Sequence, residues 1–373
     1  MTDTYVRMTS SPTLPAPRTH VGWGQWVRAH LFSSLGNGLL TLVGFFVLAM
    51  TLPGLLDWLF FSAVFSAESG AACVGEGKGA CWAFVDAKFN QFIYGRYPDA
   101  EQWRVNLTIF LGALGLVPLL VPNRFPKKWF VGFLLVPFPI IAFVLLPGGM
   151  FGLVPVETSD WGGLMVTLVV AVTGIAASLP LGVLLALGRR SQMPVIRTLS
   201  VLFIELWRGV PLITVLFMAS VMLPLFLPEG MSFDKLLRAL IGVALFSSAY
   251  MAEVVRGGLA AVPVGQYEAG KALGLTYWQS MRQIILPQAL TTVIPGIVNN
   301  FIGLFKDTTL VLVIGIFDLL GIVQSNFTDP NWASPQTATT GYVFVAFVFW
   351  IFCFSMSRYS IYMERRLETD NDS

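Results

Sequence analysis

Charge is scarce in this sequence. Asp, Glu, Lys and Arg make up 12% of its 373 residues, whereas a soluble domain carries about a quarter. Hydrophobic residues reach 55%, with Phe alone occurring 30 times. A water-soluble globule of this size would need more charge than is available, so the expected solvent is lipid. The net charge of +2 gives no reason to expect a nucleic-acid partner. Histidine is nearly missing too: His20 and His30 are the only two, both near the N-terminus. There is no HExxH, no His–Cys cluster, no Cys-rich metal framework, and no nucleophile-elbow or triad pattern. The run GEGKGA at 75–80 lacks GxxxxGK[ST] spacing and has Gly79 where Ser or Thr would bind magnesium. No catalytic residue, metal ligand or cofactor is therefore expected in this chain, and no ATP hydrolysis by it. Three cysteines remain. Cys73 and Cys81 lie in one hydrophilic connection and form either a disulfide or two free thiols; Cys353 reads as a small apolar residue.

Long apolar runs are abundant. A hydrocarbon core of about 30 Å takes roughly 20 helical residues to cross, and such stretches fall near 37–61, 104–122, 129–147, 162–187, 200–223, 238–257, 287–306 and 339–358. This predicts an all-α polytopic membrane protein of about eight transmembrane helices. The first long run begins behind a Pro-, Ser- and Thr-rich stretch, so no signal peptide is expected.

Basic residues gather in alternate connections: Arg7, Arg18 and Arg28; Arg124, Lys127 and Lys128; Arg189, Arg190 and Arg197; Arg256, Lys271 and Arg282; Arg358, Arg365 and Arg366. The other connections are richer in acids, among them Glu68, Glu76, Asp86, Asp99, Glu157, Asp160 and Asp329. Positive charge on the inner side then puts both termini in the cytoplasm and loop 66–103 outside. From Leu286 to Val323 the chain is too long for one crossing and too short for two. One span near 287–306 followed by a partial or external helix over 308–323 keeps the crossings even. Irregular backbone at that depth is tolerated where it is buried in protein or lines a cavity.

One basic connection is patterned. In QYEAGKALGLTYWQSMRQIILPQAL, residues 266–290, the spacing predicts a first helix over Gln266–Leu273, with Gly265 as its N-cap and Gly274 at the left-handed position that ends it. Thr276 followed by Gln279 reads as a capping box for a second helix running to about Ile285. Pro287 then marks the return to the membrane. Tyr277, Trp278, Met281 and Ile285 are expected on the inner side of this two-helix knob, leaving Glu268, Lys271 and Arg282 for a partner. An amphipathic loop resting on the lipid surface is the plainer alternative.

Glu268-Ala269-Gly270, Gly274 after three residues, and Ile284, Leu286 and Pro287 after nine more resemble the EAA signature of ABC importer permeases, usually EAA-x3-G-x9-I-x-L-P. Gly270, where the signature has alanine, is the one departure. The stretches 205–217, 249–275 and 283–311 are similar to the polar amino-acid (histidine/glutamine permease) branch, and the extended N-terminus resembles the longer permeases of general L-amino-acid importers.

The resemblance implies a cytoplasmic tail 1–34, three extra spans over 35–158, a five-helix type I permease core over 159–358 with coupling helices at 262–286, and a cytoplasmic tail 359–373. It implies that Glu268, Ala269, Gly270, Gly274 and Leu275 dock into a nucleotide-binding subunit that holds ATP and magnesium. It also implies two such ATPase subunits, a second permease chain (homologous but different), a periplasmic substrate-binding protein, an L-amino-acid substrate moved by alternating access, and a bacterial inner membrane.

Ionisable residues inside spans are functional candidates by default. Glu205 and Arg208 sit three apart and can pair along one helix face. Lys306 and Asp307 are adjacent and suit a helix end. Glu253 and Arg256 form another three-apart pair. Either these groups tie helices together, or Glu205, Arg208, Asn299, Lys306, Asp307 and Thr308 line a path and meet the carboxylate and ammonium of an amino acid. The alternative function is an ion-gradient-driven carrier using Glu205, Asp307 or Asp318; no internal repeat of the kind such carriers show is found.

Overall fold

The computed structural model describes residues 22–121, 125–226, 228 and 233–371. Arg7, Arg18, His20 and Arg124, with most of the expected 1–34 tail, lie outside the described residues. The chain divides into two compact units, Met1–Ala63 with Gly77–Ala80, and Val64–Glu76 with Cys81–Ser373.

The first unit holds α1 (Trp23–His30) and α2 (Leu35–Leu56). Ser34 caps α2 by accepting the Asn37 amide. A π-turn over Asp57–Phe61 prolongs the helix, and its end receives hydrogen bonds from Gly79 to the Ser62 carbonyl and from Ala80 to the Trp58 carbonyl, both 2.8 Å. No residue of α2 is buried, as suits a span whose surroundings are lipid.

The second unit begins with a small disulfide-braced layer. Cys73 and Cys81 are bridged, with Cα atoms 5.7 Å apart, which resolves the alternative left open by the sequence. Behind the bridge runs α3 (Trp82–Tyr94), a helix inside the expected loop 66–103. Its buried Phe84 and Phe92 pack with Leu319, Ile322, Val323 and Trp332. Polar ties join the same parts: Cys81 N–H donates to Thr340 Oγ1 at 2.8 Å, Gly70 N–H to the Asn331 carbonyl at 2.8 Å, and Lys88 meets Asp329 at 2.5 Å. The hydrogen bond from Lys88 holds the Asp329 carboxyl below the usual carboxylate range.

Two further spans follow, α4 (Gln102–Leu120) and the pair α5 (Lys127–Leu135) and α6 (Pro137–Leu145). Arg104 at the start of α4 is wholly buried. Its charge is compensated by Glu101 at 3.0 Å, and Nη1 donates to the Val154 carbonyl at 3.0 Å. Tyr97 Oη donates to the Leu146 carbonyl.

The core is built on α7 (Gly163–Arg189) and α10 (Lys235–Ala261). Gly182 is what lets them touch: a Cβ there would sit 2.6 Å from Met251 Cγ, and one at Gly174 would sit 2.8 Å from a Leu304 methyl. Small residues at such crossings are the usual route to close packing where lipid removes the hydrophobic drive. The stretch expected as one span at 200–223 is instead a bent pair, α8 (Pro194–Gly209) and the run over Leu212–Phe226 that opens with α9 (Leu212–Phe217), turned by 102°. Pro211 cannot continue the helix and disfavours helical backbone at Val210, which is extended (ψ 133°). Among the described residues seven helices are long and apolar enough to cross a membrane, or eight if that bent pair is one span.

The ambiguous 286–323 region resolves into α13 (Leu286–Thr292), α14 (Ile294–Asp307), a 3₁₀ run over Thr308–Ile314, and α15 (Leu319–Ser325) after the left-handed Gly315. The span therefore reaches Ile314, eight residues beyond the expected end at 306. Helix α16 (Pro335–Asn371) closes the chain. Asp318 caps α15 by accepting the Gly321 amide, and it is fully buried with Oδ2 unpartnered. Burial pushes its carboxyl up to about 6, against the pull of those backbone amides.

Two predictions follow from this packing. Replacing Cys73 and Cys81 by alanine frees an eight-residue separation and should cost about 2–3 kcal/mol, read as a lower thermal midpoint in detergent that reductant no longer changes. For Asp318 the folded pKa lies above the unfolded value of 3.8. Its contribution is thus present below pH 4 and lost as pH rises through about 6, on the order of 3 kcal/mol in all. Asp318→Asn keeps the cap and should flatten that fall between pH 4 and 6.

Candidate functional site

The 262–290 segment folds as two short helices crossing at a glycine. Helix α11 (Val264–Ala272) starts two residues earlier than the spacing predicts, and Pro263 rather than Gly265 is its N-cap. Pro263 fixes its own φ and needs no donor, so it suits that boundary. Gly274 has φ +70°. Leu275 N–H reaches the Gly270 carbonyl and Gly274 N–H the Lys271 carbonyl, at 3.1 and 3.0 Å; these are the two bonds of a Schellman stop.

Thr276 and Gln279 form a full capping box for α12 (Tyr277–Ser280). A π-turn over Met281–Ile285 follows, so α12 proper is shorter than expected. Pro287 sits at the first positions of α13, where its missing N–H costs little, and the helical run breaks at Val293 instead.

Gly270 is the only buried residue of α11, and a Cβ there would lie 2.6 Å from Ser280 Oγ. The two helices therefore cross at the position where this sequence departs from the EAA pattern. Met281 and Ile285 are buried, as expected, but Tyr277 and Trp278 are 54% and 65% exposed. By spacing both share the face of Met281, but they stand at the N-terminal end of the helical run, one turn before the first buried residue. The outer face of the knob thus presents Glu268, Lys271, Leu273, Tyr277, Trp278 and Arg282. Ala269 and Gly274 are exposed beside them, and Leu275 is half-buried.

Next to the knob lies a charge cluster on three helices. Arg189, at the end of α7, meets Glu253 of α10 at 2.8 Å and Glu205 of α8 at 3.0 Å. Glu253 also holds Arg256 at 2.9 Å and Arg208 at 3.6 Å. The Glu253–Arg256 pair forms as the spacing predicts. Among the described residues Glu205 and Arg208 are not paired with each other; each reaches across to another helix. Arg208 also lies over the Tyr250 ring at 5.7 Å. Sequence spacing shows neighbours on one helix and carries no signal for Arg189, which joins the cluster from 16 residues before Glu205.

Above that ring, a cavity of about 310 Å³ opens between α10 and α14, lined by Phe246, Ser247, Tyr250, Asn299, Asn300, Gly303, Leu304 and Asp307. Asn299 and Asp307, two of the expected pathway residues, meet there, together with Ser247 and Tyr250, which nothing in the spacing singled out. Arg208 touches the cavity only through Tyr250. Lys306 is exposed and lines no part of it. Thr308 is buried, and its hydroxyl donates to the Phe305 carbonyl. Aromatic walls, amides and one carboxylate suit a small polar or zwitterionic molecule, in the lower part of the usual volume range for ligand sites.

Residues 178–369 match the family of binding-protein-dependent transport system inner membrane components. The inner membrane amino-acid ABC transporter permease protein YhdY of Escherichia coli is 52% identical over 365 residues, covering 96% of this chain and 97% of that protein. The glutamate/glutamine/aspartate/asparagine transport system permease protein BztC of Rhodobacter capsulatus is 42% identical over the whole of both chains. A crystal structure of an amino acid ABC transporter with histidines is 31% identical, covering 55% of this chain and 92% of its own, with a TM-score of 0.47. The family match and the two relatives favour an ATP-driven importer over the ion-gradient alternative. The chain belongs to the binding-protein-dependent inner membrane component family: it is a multi-pass inner-membrane permease subunit of an ATP-driven ABC importer.

Proposed function

We propose that the protein moves L-amino acids inward by alternating access, and that the α11–α12 knob is where a partner ATPase drives it. The observation that carries the proposal is the shape of the knob. A Schellman stop, a capping box and the Gly270 crossing fix two helices before any partner arrives. What they leave exposed is a mixed face of Glu268, Leu273, Tyr277, Trp278 and Arg282. Tyr, Trp and Arg on a rigid platform are what protein interfaces favour at their centres, with carboxylates such as Glu268 suited to the polar rim. The two relatives described above are named for amino-acid transport, and the polar cavity has the chemistry to meet an ammonium at Asp307 and hydrogen-bond through Asn299 and Asn300.

In this reading Glu268, Ala269, Gly274 and Leu275 form the docking edge, Gly270 sets the helix crossing behind it, and two ATPase subunits bind ATP and magnesium. A periplasmic binding protein delivers the substrate, and a second, homologous permease chain completes the path. Both termini face the cytoplasm. The Cys73–Cys81 disulfide supports that orientation, because such bridges persist in the periplasm and are rare in the cytosol. Of the expected pathway residues Asn299 and Asp307 line the cavity, beside Ser247 and Tyr250, while Glu205, Arg208, Lys306 and Thr308 do not border it.

Replacing Glu268 by alanine and Gly274 by valine together should abolish ATP-driven uptake in vesicles reconstituted with the complete importer, while the thermal midpoint of the membrane core stays close to wild type. At Gly274 a side chain costs about 1–2 kcal/mol in the left-handed region, confined to the knob. Normal import by the double variant would remove docking at this face. Asp307→Asn and Asn299→Ala should each raise the substrate concentration for half-maximal uptake about tenfold or more, with ATPase subunits still bound. Unaltered uptake in both would take the cavity out of the path.

A further inference from the structure

Helix α11 is joined to α10 by Val262 and Pro263 alone. A two-residue link leaves soft backbone dihedrals even with proline fixing one of them. Val262 anchors the link in the apolar cluster of Leu259, Met281 and Ile285, but beyond it Gly270 is the one buried residue of α11. Yet Tyr267, on α11, turns back over the link. Its hydroxyl donates to the Leu259 carbonyl at 3.0 Å. Arg190 Nη1 donates to that same carbonyl at 2.8 Å and to the Tyr267 hydroxyl at 3.1 Å, and the guanidinium lies 5.5 Å from the centre of the Tyr267 ring.

Leu259 belongs to the last turn of α10, where carbonyls have no partner within the helix and the helix dipole favours a cation. One side chain and one ring thus close a triangle on the ends of α7, α10 and α11.

Arg190 follows Arg189 directly, and successive residues on a helix point about 100° apart. Arg189 turns toward Glu205 and Glu253 and ties α7 to α8 and α10. Arg190 turns the other way, to Tyr267 and Leu259. The tandem arginines therefore connect the knob to the charge cluster without an intervening flexible element.

We propose that Arg190 and Tyr267 are positioning residues for energy coupling: they lock the α10–α11 link so that movement of the docked knob is passed to α7 and α10 as one body. This rests on the docking reading of α11, and the test separates the two. The complete importer, purified with its ATPase and binding protein and reconstituted in vesicles, is assayed for amino-acid uptake and ATP hydrolysis in parallel.

Arg190→Ala should raise the ATP hydrolysed per molecule imported about fivefold or more, with the ATPase still co-purifying. Tyr267→Phe, which keeps the ring and loses the hydroxyl, should raise it less. The double variant should be no worse than Arg190→Ala, since both act on one joint, and Arg190→Lys should recover much of the coupling through the Leu259 carbonyl. An unchanged ratio in Arg190→Ala, while Glu268→Ala loses ATPase-driven uptake, overturns this inference and leaves docking intact. Additive losses, or a parallel fall of uptake, hydrolysis and thermal midpoint without rescue by lysine, overturn it as well. Normal uptake in Glu268→Ala with Gly274→Val would instead withdraw the docking reading beneath it.

Discussion

The contact between α7 and α10 is the constraint on which the rest of the core depends. In lipid no hydrophobic gain separates helix–helix from helix–tail contact, so packing and polar ties must hold the pair. Gly182 and Gly174 supply the packing, one against Met251 and the other against Leu304 and Val243. Gly258 repeats the device further along, where a Cβ would crowd Ala289 and Val293. Because α10 is pinned along its length, its two faces can be used for different things. One borders the cavity with α14, and its end carries the knob. A shift of α10 relative to α7 must therefore alter cavity and knob together.

The polar ties sit where that argument needs them. Glu253 is surrounded by three arginines from three helices, and its side chain is 17% exposed. A charge so placed is strongly destabilising if its partners leave. The cluster is thus better understood as fixing which helices meet at that end than as adding much stability. Five charges, Arg189, Glu205, Arg208, Glu253 and Arg256, leave a net excess of one positive, so no single pair can rearrange without exposing another. At the start of α4 the buried Arg104 follows the same logic, with Glu101 and the Val154 carbonyl as partners.

What could be read from residues alone was whatever depends on local spacing. Apolar runs located the spans, Gly274 and the Thr276–Gln279 box located the stops and starts of the knob, and the Glu253–Arg256 pair followed from three-residue spacing. Tertiary choices escaped. A proline can break a span or sit harmlessly at a helix start, and the sequence does not say which: Pro211 stands at a 102° bend, while Pro287 opens a helix. Lys306 and Asp307 are adjacent letters, yet only Asp307 reaches the cavity, because consecutive residues at the end of α14 point in different directions. Arg189 and Tyr250 carry no motif at all and acquire their roles from the helices they happen to face.

Gly270 shows how a departure from a pattern is explained by contact. Where related signatures have alanine, this chain has the smallest residue, and Ser280 of the second helix occupies the space. An added methyl would meet the Ser280 hydroxyl first, and that group can rotate. The fit is therefore a matter of how closely α11 and α12 approach, and the backbone of α11 has no need of glycine's freedom there, since helical φ and ψ suit any residue. The strict requirement lies four residues on, at Gly274, where φ is positive. One glycine sets the distance between the two helices and the other sets the turn between them. The knob keeps its shape because both demands are met by residues that present no side chain to the docking face.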